Sequence, residues 1–480
     1  MQSELAQIIS PTLGNPLVTP FPVPIVTPPA SPSVPIFEPW EIALTDTGNA
    51  DRFIARHGEE ARYCNEMGSW LIWNGERWQI DDSEQIVQLG DRTARSIFTE
   101  VQGTDAWDKR SQLADWAKRS CSKSGISNML KLAQSKLILR SAELDTDPWL
   151  LNCKNGVVDL RTGKLREHRK EDWITKQVPV SYDPGARCDR FLTFLDRVTD
   201  RDGMLLAYLQ QALGYSLTGR TDEQCWFIAY GSGANGKSTL LNLFGKLLGG
   251  YSKNAPVQTF IQKRFEGGPR EDLVRLRGAR FVTIMEAEEN QKLAASQLKQ
   301  ITGGDAIVAR DLYKGSIQFA PQMKLWLATN HKPNLDSSDA AIWRRVRLIP
   351  FNAEIPKHEQ DPELPAKLWD EAPGILAWTV KGSLDWQANG LEIPESVSRA
   401  TNGYRQEMDY VRSFVDEHIE AEIGNWASKS EVFKAYQTWS RSNQANAISM
   451  RELAKRLKAL GLKEGHTGNI RTWKDVCLTA

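Results

Sequence analysis

The sequence predicts an α/β protein whose central part is a parallel sheet covered by helices, and three observations lead to that prediction. Residues 225–350 alternate strand-like and helix-like runs, which is the pattern of a parallel α/β sheet. A glycine-rich segment, "GSGANGKS", stands between the apolar run "CWFIAY" and the amphipathic run "STLLNLFGKLL". After about residue 400 the pattern becomes helical, with the runs "VRSFVDEHI", "KSEVFKAYQTWSRSN" and "MRELAKRLKALG".

Length and composition limit the classes of protein. A chain of 480 residues is too long for one compact core and corresponds to about three domains. Lys and Arg number 60 and so do Asp and Glu, so any nucleic-acid surface has to be a local patch. The 6 cysteines are scattered without a CxxC pair, which argues against structural zinc and for a reducing, cytoplasmic setting. There is no apolar run of about 18 residues, so no membrane partner is expected.

Pattern and composition divide the chain into four expected segments: a proline-rich disordered leader over 1–39, a small mixed α/β domain over 40–190, the α/β core over 191–385, and an α-rich domain over 400–480. In the second segment, Asn74-Gly75 predicts a tight hairpin between strands that carry Trp70, Trp73 and Trp78.

The last segment has three helical runs followed by a hairpin pattern, "LKEGHTGNIRTWKDVCL", an order typical of a winged-helix-like DNA-binding domain. Basic residues mark its last helix and the hairpin, which favours a contact with duplex DNA over a protein contact. They are Arg451, Lys455, Arg456, Lys458, Lys463, His466, Arg471 and Lys474.

The glycine-rich segment matches G-x-x-x-x-G-K-[ST], and a strand and a helix flank it as a phosphate loop requires. Glycines let consecutive backbone N–H groups surround a phosphate, and the helix N-terminus adds a favourable dipole. Lys237 is expected to reach the β- and γ-phosphates of ATP, and the Ser238 hydroxyl to bind Mg²⁺. The residues expected to contact the nucleotide are Gly231, Ser232, Gly233, Ala234, Asn235, Gly236, Lys237, Ser238 and Thr239.

A second acidic group for Mg²⁺ and water is expected after the run "RFVTIM", at the carboxyl end of a buried strand. Glu286 is the first candidate and Glu288 the second, whereas Glu289 is expected to face solvent. Which of the two glutamates contacts the metal and which polarises water stays open. The alternative is a charged loop that simply follows a strand.

Two further positions suit phosphoryl transfer. Asn330 ends the strand-like run "MKLWLATN", where its side chain can orient an attacking water. Arg344, Arg345 and Arg347 lie within "AIWRRVRLIPF", and an arginine there can stabilise phosphoryl charge. These arginines could equally form a solvated face or a DNA patch.

Together these elements resemble superfamily 3 helicases, and most closely the phage/plasmid primase–helicase family that includes the poxvirus primase–helicase. The resemblance rests on "GSGANGKST", "LKQITGGDAIVARDLYKG", "KLWLATNHKP" and "DAAIWRRVRLIPF". It is supported upstream by "LLNCKNGVVDLRTGKLREH" and "ITKQVPVSYDP", and covers about residues 40–480.

The resemblance implies an AAA+-like ATPase core and a hexameric ring that threads one strand of single-stranded or forked DNA, generally 3′ to 5′. It implies a hairpin from "RDLYKGSIQF" that projects into the channel, with Lys314 as the DNA-contacting residue. It also identifies Arg345 as the arginine that acts on the neighbouring subunit's nucleotide, with Arg344 as the alternative and Arg347 less favoured.

Many members of this family carry a primase domain before the helicase part, whereas only some forty residues precede the likeness here. We therefore expect a helicase alone, in the host cytoplasm if it is phage-encoded, with priming supplied by a separate primase or polymerase. The main alternative is an ATP-switched initiator or loader that melts an origin without processive unwinding. A small-molecule P-loop kinase is a weaker alternative, because a kinase needs neither the arginine cluster nor the last segment.

Overall fold

The computed structural model describes residues 42–103, 106–262, 270–285, 291–310, 316–443, 448–468 and 470–479, without the side chains of Arg310 and Ser316. The expected leader over 1–39, Glu286, Glu288 and Lys314 lie outside these described residues. Among the described helices, none is both long enough and apolar enough to cross a membrane.

The amino-terminal part combines four helices with two small antiparallel sheets, β1-β2-β3 and β4-β5-β6. A buried ion pair, with Arg52 Nη2 2.8 Å from Glu100 Oε2, joins its first two helices. The elements are α1 (Asp46–His57), β1 (Ala61–Cys64), β2 (Ser69–Trp73), β3 (Trp78–Ile80), α2 (Gln85–Glu100), α3 (Trp107–Ser120), α4 (Lys123–Gln134), β4 (Leu150–Cys153), β5 (Gly156–Asp159) and β6 (Lys164–Arg166).

The predicted tryptophan hairpin is present, but its turn is longer than Asn74-Gly75 alone. Trp73 pairs with Trp78, so four residues form the loop. The Asn74 side chain accepts hydrogen bonds from the backbone N–H groups of Glu76 and Arg77, at 3.0 and 2.9 Å. Asn74 therefore closes the turn with its side chain rather than through a left-handed backbone, and Gly75 alone of the four has a positive φ, at 93°.

The central part is a five-stranded parallel sheet in the order β13-β7-β12-β9-β8, with helices on both faces. Its elements are α5 (Asp189–Val198), α6 (Gly203–Leu217), β7 (Trp226–Tyr230), α7 (Lys237–Leu248), β8 (Ser252–Ala255), α8 (Glu271–Val274), β9 (Phe281–Met285), α9 (Ala295–Gly303), β10 (Ile307–Arg310), β11 (Ser316–Phe319), β12 (Lys324–Thr329), α10 (Ala340–Trp343), β13 (Val346–Pro350), α11 (Leu364–Trp369) and α12 (Ala372–Asn389).

The strands of this sheet are buried on both faces, which is why they read as continuous apolar runs. In β7, Phe227 and Ala229 belong to one core with α5, α6, α7 and α12. Trp226 and Ile228 belong to a second core on the opposite face, with α9 and α10. The predicted alternation of strands and helices is thereby confirmed as a mixed α/β architecture.

The chain reverses direction across the sheet beside β7. From β7 it crosses through α7, on one face, to β8 at the far edge, and from β12 it returns past β7 through α10, on the other face, to β13. The carboxyl ends of β7 and β12 therefore flank a topological switch point, where open α/β sheets bind their ligands.

A two-stranded antiparallel ladder lies between β9 and β12 in the chain. β10 and β11 pair from Ile307 opposite Phe319 to Arg310 opposite Ser316. The two strands of the expected hairpin are thus present, whereas the connection that carries Lys314 is outside the described residues.

The carboxyl-terminal part contains the three predicted helices and the predicted hairpin, and adds a strand that the sequence analysis missed. The extra strand, β14, forms a three-stranded antiparallel sheet in the order β14-β16-β15. The elements are α13 (Glu395–Glu407), α14 (Tyr410–His418), β14 (Ile419–Ser428), α15 (Lys429–Ser442), α16 (Met450–Ala459), β15 (Lys463–Thr467) and β16 (Ile470–Leu478). This part is therefore mixed α/β rather than α-rich with a lone hairpin.

Candidate functional site

The glycine-rich turn between β7 and α7 is built from backbone conformations and contacts that side chains would prevent. Gly233 and Gly236 have φ of 118° and 81°. A Cβ on Gly236 would lie 2.5 Å from Val198 Cγ1, and one on Gly231 would lie 2.3 Å from the carbonyl oxygen of Phe351. The two outer glycines of the motif are thus required by close packing as well as by backbone conformation.

The segment after β13 holds this turn in place. Asn235 Nδ2 donates to the Phe351 carbonyl oxygen at 3.0 Å, and the Ile355 N–H donates to the Ala234 carbonyl oxygen at 3.0 Å. The Phe351 N–H in turn donates to the Tyr230 carbonyl oxygen at 2.7 Å. The turn is therefore fixed from two sides before any ligand binds.

Lys237 is buried at the centre of the site, with 4 % of its surface exposed. Its Nζ donates to the Gly231 carbonyl oxygen and to Asn235 Oδ1, both at 2.8 Å, and to Asn330 Oδ1 at 3.0 Å. All three acceptors are neutral, and burial lowers the pKa of Lys237 to about 8. An ammonium group without a counter-charge in such a position suits an anionic ligand.

The backbone N–H groups of the turn strengthen this preference for an anion. Within the described part of the chain, the N–H groups from Ser232 to Thr239 have no hydrogen-bond acceptor. They stand at the N-terminus of α7, a 12-residue helix. At the start of that helix the Ser238 side chain is exposed and the Thr239 side chain is half-buried. These donors and hydroxyls fit a phosphate group and an accompanying divalent cation.

Asn330 reaches the site because it directly follows β12. Thr329 Oγ1 donates to the His331 carbonyl oxygen at 2.7 Å and accepts from the His331 N–H at 3.0 Å, which fixes the turn around Asn330. On the other side of β12, Met285 pairs with Ala328 at the end of β9. Glu286 is the next residue in the chain, but Glu286 and Glu288 are among the residues that the structure leaves undescribed.

A cleft of about 1050 Å³ adjoins the turn and was not anticipated from the sequence. Ala234, Gly236 and Thr239 form one wall of it, and Phe194 and Arg197 of α5 form another. The third wall is the segment 355–364. No local signal marks α5 as a neighbour of a turn some forty residues further on, so only the packing of the helices identifies this cleft.

The arginine cluster lies at the opposite edge of the sheet from the glycine-rich turn. Arg344 and Arg345 precede β13, which pairs in parallel with β7 from Val346 opposite Trp226. Five residues of β7 then separate this edge from the turn, a distance of roughly 16 Å. The chain's own arginines are thus placed away from its own Lys237.

The two arginines differ in accessibility. Arg345 is 7 % exposed, and its Nη1 donates to the Ala341 carbonyl oxygen at 2.7 Å. Burial lowers the pKa of the Arg345 guanidinium, and the neighbouring Arg344 charge adds to that effect. Arg344 is exposed, with Nη2 3.5 Å from Gln224 Oε1. Arg344 is therefore the more accessible of the two to another molecule.

Two family models match the chain on either side of the switch point. Residues 50–200 match a family described as D5 N terminal like, and residues 229–345 match a family of unknown function, DUF5906. The first match covers most of the amino-terminal part and α5, and the second runs from the end of β7 to Arg345.

Curated relatives come from large DNA viruses. "Putative helicase L207/L206" of Acanthamoeba polyphaga mimivirus is 27% identical over 419 residues, which cover 78% of this chain and 43% of the relative. "Putative helicase 121R" of Invertebrate iridescent virus 3 is 30% identical over 230 residues, which cover 46% and 24%. "Putative primase C962R" of African swine fever virus (strain Badajoz 1971 Vero-adapted) is 24% identical over 424 residues, which cover 78% and 44%. The chain spans less than half the length of these relatives.

Among solved structures, the chain is similar to the apo structure of the NrS-1 C terminal region, with 10% identity and a TM-score of 0.49 over 89% of this chain and 99% of that one. That score is too low to carry an argument about the fold. The family matches and the viral relatives are sufficient by themselves: the chain belongs to the phage and viral primase–helicase-like family.

Proposed function

We propose that the chain is an ATP-dependent, ring-forming DNA helicase that acts in the replication of a phage, plasmid or other mobile element. The observation that carries the proposal is Lys237, whose buried ammonium has only neutral partners in the midst of unpaired backbone N–H groups. The viral relatives named as helicases and primases support the same role.

In this proposal the glycine-rich turn is the phosphate loop of an AAA+-like core. Lys237 and the N–H groups from Gly231 to Thr239 bind the ATP phosphates, and Ser238 and Glu286 hold Mg²⁺. Mg²⁺, when bound, neutralises charge on the phosphate oxygens. Asn330 and either Glu286 or Glu288 orient and polarise the attacking water.

The cleft of about 1050 Å³ beside the turn is the proposed place of the nucleoside. Phe194, Ile355 and Leu364 give it apolar surface suited to a base, and it opens directly onto Ala234 and Gly236. Its position on the far side of the turn from Asn330 would leave the reacting phosphate end at the switch point.

The proposed ring, a hexamer, places each nucleotide between two subunits. Arg345, or the more exposed Arg344, would stabilise phosphoryl charge on the neighbour's nucleotide. The location of both arginines about 16 Å along the sheet from their own phosphate loop supports action between subunits.

The proposed DNA path uses the β10–β11 hairpin, with Lys314 binding backbone phosphates of single-stranded or forked DNA without reading sequence. Movement is expected 3′ to 5′, and a separate primase or polymerase is the expected partner. The proposed domains are those of the sequence analysis: 1–39, 40–190, 191–385 and 400–480, the last winged-helix-like.

ATP hydrolysis with and without single-stranded DNA tests the proposal. We expect Mg²⁺-dependent hydrolysis that DNA stimulates and that Lys237→Ala abolishes. Slow hydrolysis that DNA leaves unchanged would favour an ATP-switched initiator or loader instead. Hydrolysis that requires a small-molecule acceptor would favour a kinase.

A further inference from the structure

The outer face of the carboxyl-terminal sheet carries an aromatic side chain and two lysines in a single row. Trp426 of β14 pairs with Lys474 of β16, and Lys474 pairs with Lys463 of β15. Directly opposed residues of antiparallel strands project their side chains from the same face. The three side chains therefore stand side by side, with roughly 5 Å between neighbouring strands.

This face points away from the core of the carboxyl-terminal part. The next row along the strands consists of Ala427, Trp473 and Glu464, and it faces inward. Ala427 and Trp473 are buried in that core, at 6 % and 1 % exposure. The row of Trp426 is therefore the outward one, and the Trp426 side chain is 42 % exposed.

The charge on this face is not neutralised within the described residues. Neither Lys463 nor Lys474 has an ion pair there, although two like charges directly opposed across strands destabilise a sheet. The nearby Glu464 carboxylate is already paired on the inner face with Lys429 and Lys458. The Lys474 side chain instead passes over Gly465, where a Cβ would lie 2.5 Å from its Cε. An anion would remove the unfavourable pairing of the lysines.

The basic helix that the sequence analysis favoured for DNA is partly committed to other contacts. Arg456 of α16 pairs with Asp336 at 3.0 Å and donates to Ser338 Oγ at 2.9 Å, in the turn before α10. Lys458 pairs with Glu464 at 2.7 Å. Because α16 docks on the central part through Arg456, it is not free to enter a major groove, whereas the outer sheet face is open.

We propose that this face, defined by Trp426, Lys474 and Lys463, is a binding site for single-stranded DNA. A base would stack on the Trp426 indole, and the two lysines would contact phosphates roughly 5 and 10 Å away across the strands. An unpaired strand suits it better than a duplex, because only unpaired bases can expose a ring face to an aromatic side chain. The site is distinct from the hairpin of Lys314, and it needs no nucleotide.

The test is binding of a fluorescein-labelled oligothymidylate of about 16 nucleotides, the upper size of such sites, to the full chain without ATP. All proteins carry Lys314→Ala, so that the hairpin does not mask the sheet face. Trp426→Ala should raise Kd by roughly 5- to 150-fold and leave the salt dependence unchanged. The pair Lys463→Gln and Lys474→Gln should lower the slope of log K against log salt by about 1.4.

Matched variants separate stacking from general effects. Trp426→Phe should keep most of the affinity, and Trp107→Ala, which removes a tryptophan that is 80 % exposed elsewhere, should change nothing. Binding of a duplex of the same length should be insensitive to Trp426→Ala. An oligonucleotide that carries 5-iododeoxyuridine should cross-link to Trp426 on irradiation.

The proposal is overturned if the Kd and the salt slope stay at the parent values and no cross-link maps to Trp426. If the same variants leave DNA binding intact but change the oligomeric mass in solution, the face is a protein contact and the DNA site is excluded. Because ATP is absent throughout, neither result depends on whether the chain hydrolyses ATP.

Discussion

The Nζ atom of Lys237 lies 3.0 Å from Oδ1 of Asn330, although the two residues are 93 positions apart in the chain. The contact joins the start of α7 to the end of β12, across the switch point of the sheet. It couples the residue proposed to bind phosphate to the residue proposed to orient water. Five predictions follow from this arrangement and from the features around it.

Asn330→Ala should slow ATP hydrolysis by about 10²-fold, of the size seen when one preorganised polar group is removed from an active site. Nucleotide affinity should change little, because Lys237 keeps Gly231 and Asn235 as acceptors. Single-turnover hydrolysis and nucleotide binding measure the two effects separately. Asn128→Ala, at an exposed asparagine of the amino-terminal part, serves as the control. A loss of binding equal to the loss of rate would contradict the assigned role.

Nucleotide affinity should fall as pH rises through about 8, because Lys237 loses its proton there. Below that value affinity should be constant, and above it the association constant should fall by up to tenfold per pH unit. Lys237→Arg offers the control, since its side chain stays charged and its weaker binding should not vary with pH. Calorimetry over this range checks the prediction, and a flat profile for the parent protein would refute it.

The same pKa predicts how stability depends on pH. The folded-state pKa of Lys237, about 8, lies below its ordinary value of 10.5, so the unfolded chain binds more protons between these values. The contribution of Lys237 to the free energy of unfolding should therefore rise with pH from about 8 to 10.5. Denaturant unfolding of the parent and of Lys237→Met should show this rise only in the parent.

Gly236→Ala should destabilise the central part more than Gly233→Ala. Both positions have a positive φ, but only Gly236 packs against Val198 and Phe194, whereas a Cβ on Gly233 meets no atom within 4 Å. The difference in unfolding free energy should be about 1–3 kcal/mol, the usual cost of overpacking. Equal losses at the two positions, measured by thermal unfolding, would show that backbone conformation alone decides the effect.

Mixing two inactive proteins should restore ATP hydrolysis if the arginine acts between subunits. Lys237→Ala mixed with Arg345→Ala, or with Arg344→Ala, should regain activity, since a mixed ring contains interfaces with both intact residues. Each variant alone should be inactive. Subunit exchange is verified first with labelled proteins, and exchange without recovery in either mixture would exclude an arginine from both positions.

The sequence was sufficient for the strands and the turn, because each depends on a local pattern. β7, β9 and β12 are continuous apolar runs, and the turn before Lys237 is fixed by its own glycines. The strand order was not predictable, since nothing local places β12 rather than β8 next to β7. The contact between Lys237 and Asn330 and the cleft beside α5 depend on that order, so only the folded chain reveals them.

Two other misses have physical causes in the carboxyl-terminal part. β14 begins with the alternating residues "IEAEI", but a bulge interrupts its pairing between Ala421 and Trp426, and the pattern is too short to stand out. The basic residues of α16 look alike in sequence, yet Arg456 is committed to Asp336 and Lys458 to Glu464. Tertiary partners therefore decide which of the basic residues remain available to DNA.

Lys314→Ala should leave basal ATP hydrolysis unchanged and abolish its stimulation by single-stranded DNA, since the proposed hairpin contact lies away from the phosphate loop. Lys292→Ala, at an exposed lysine of the same part, should keep full stimulation. Hydrolysis rates with and without DNA decide the matter, and full stimulation of the Lys314→Ala protein would remove this residue from the DNA path.

The most direct test of the central claim is ATP-dependent strand displacement on forked DNA with either a 3′ or a 5′ loading tail, with Lys237→Ala as the control. The proposed helicase should displace the strand only when the 3′ tail and Lys237 are both present. Absence of displacement on both substrates, by protein that binds ATP and DNA normally, would contradict a helicase and leave the ATP-switched initiator as the better account.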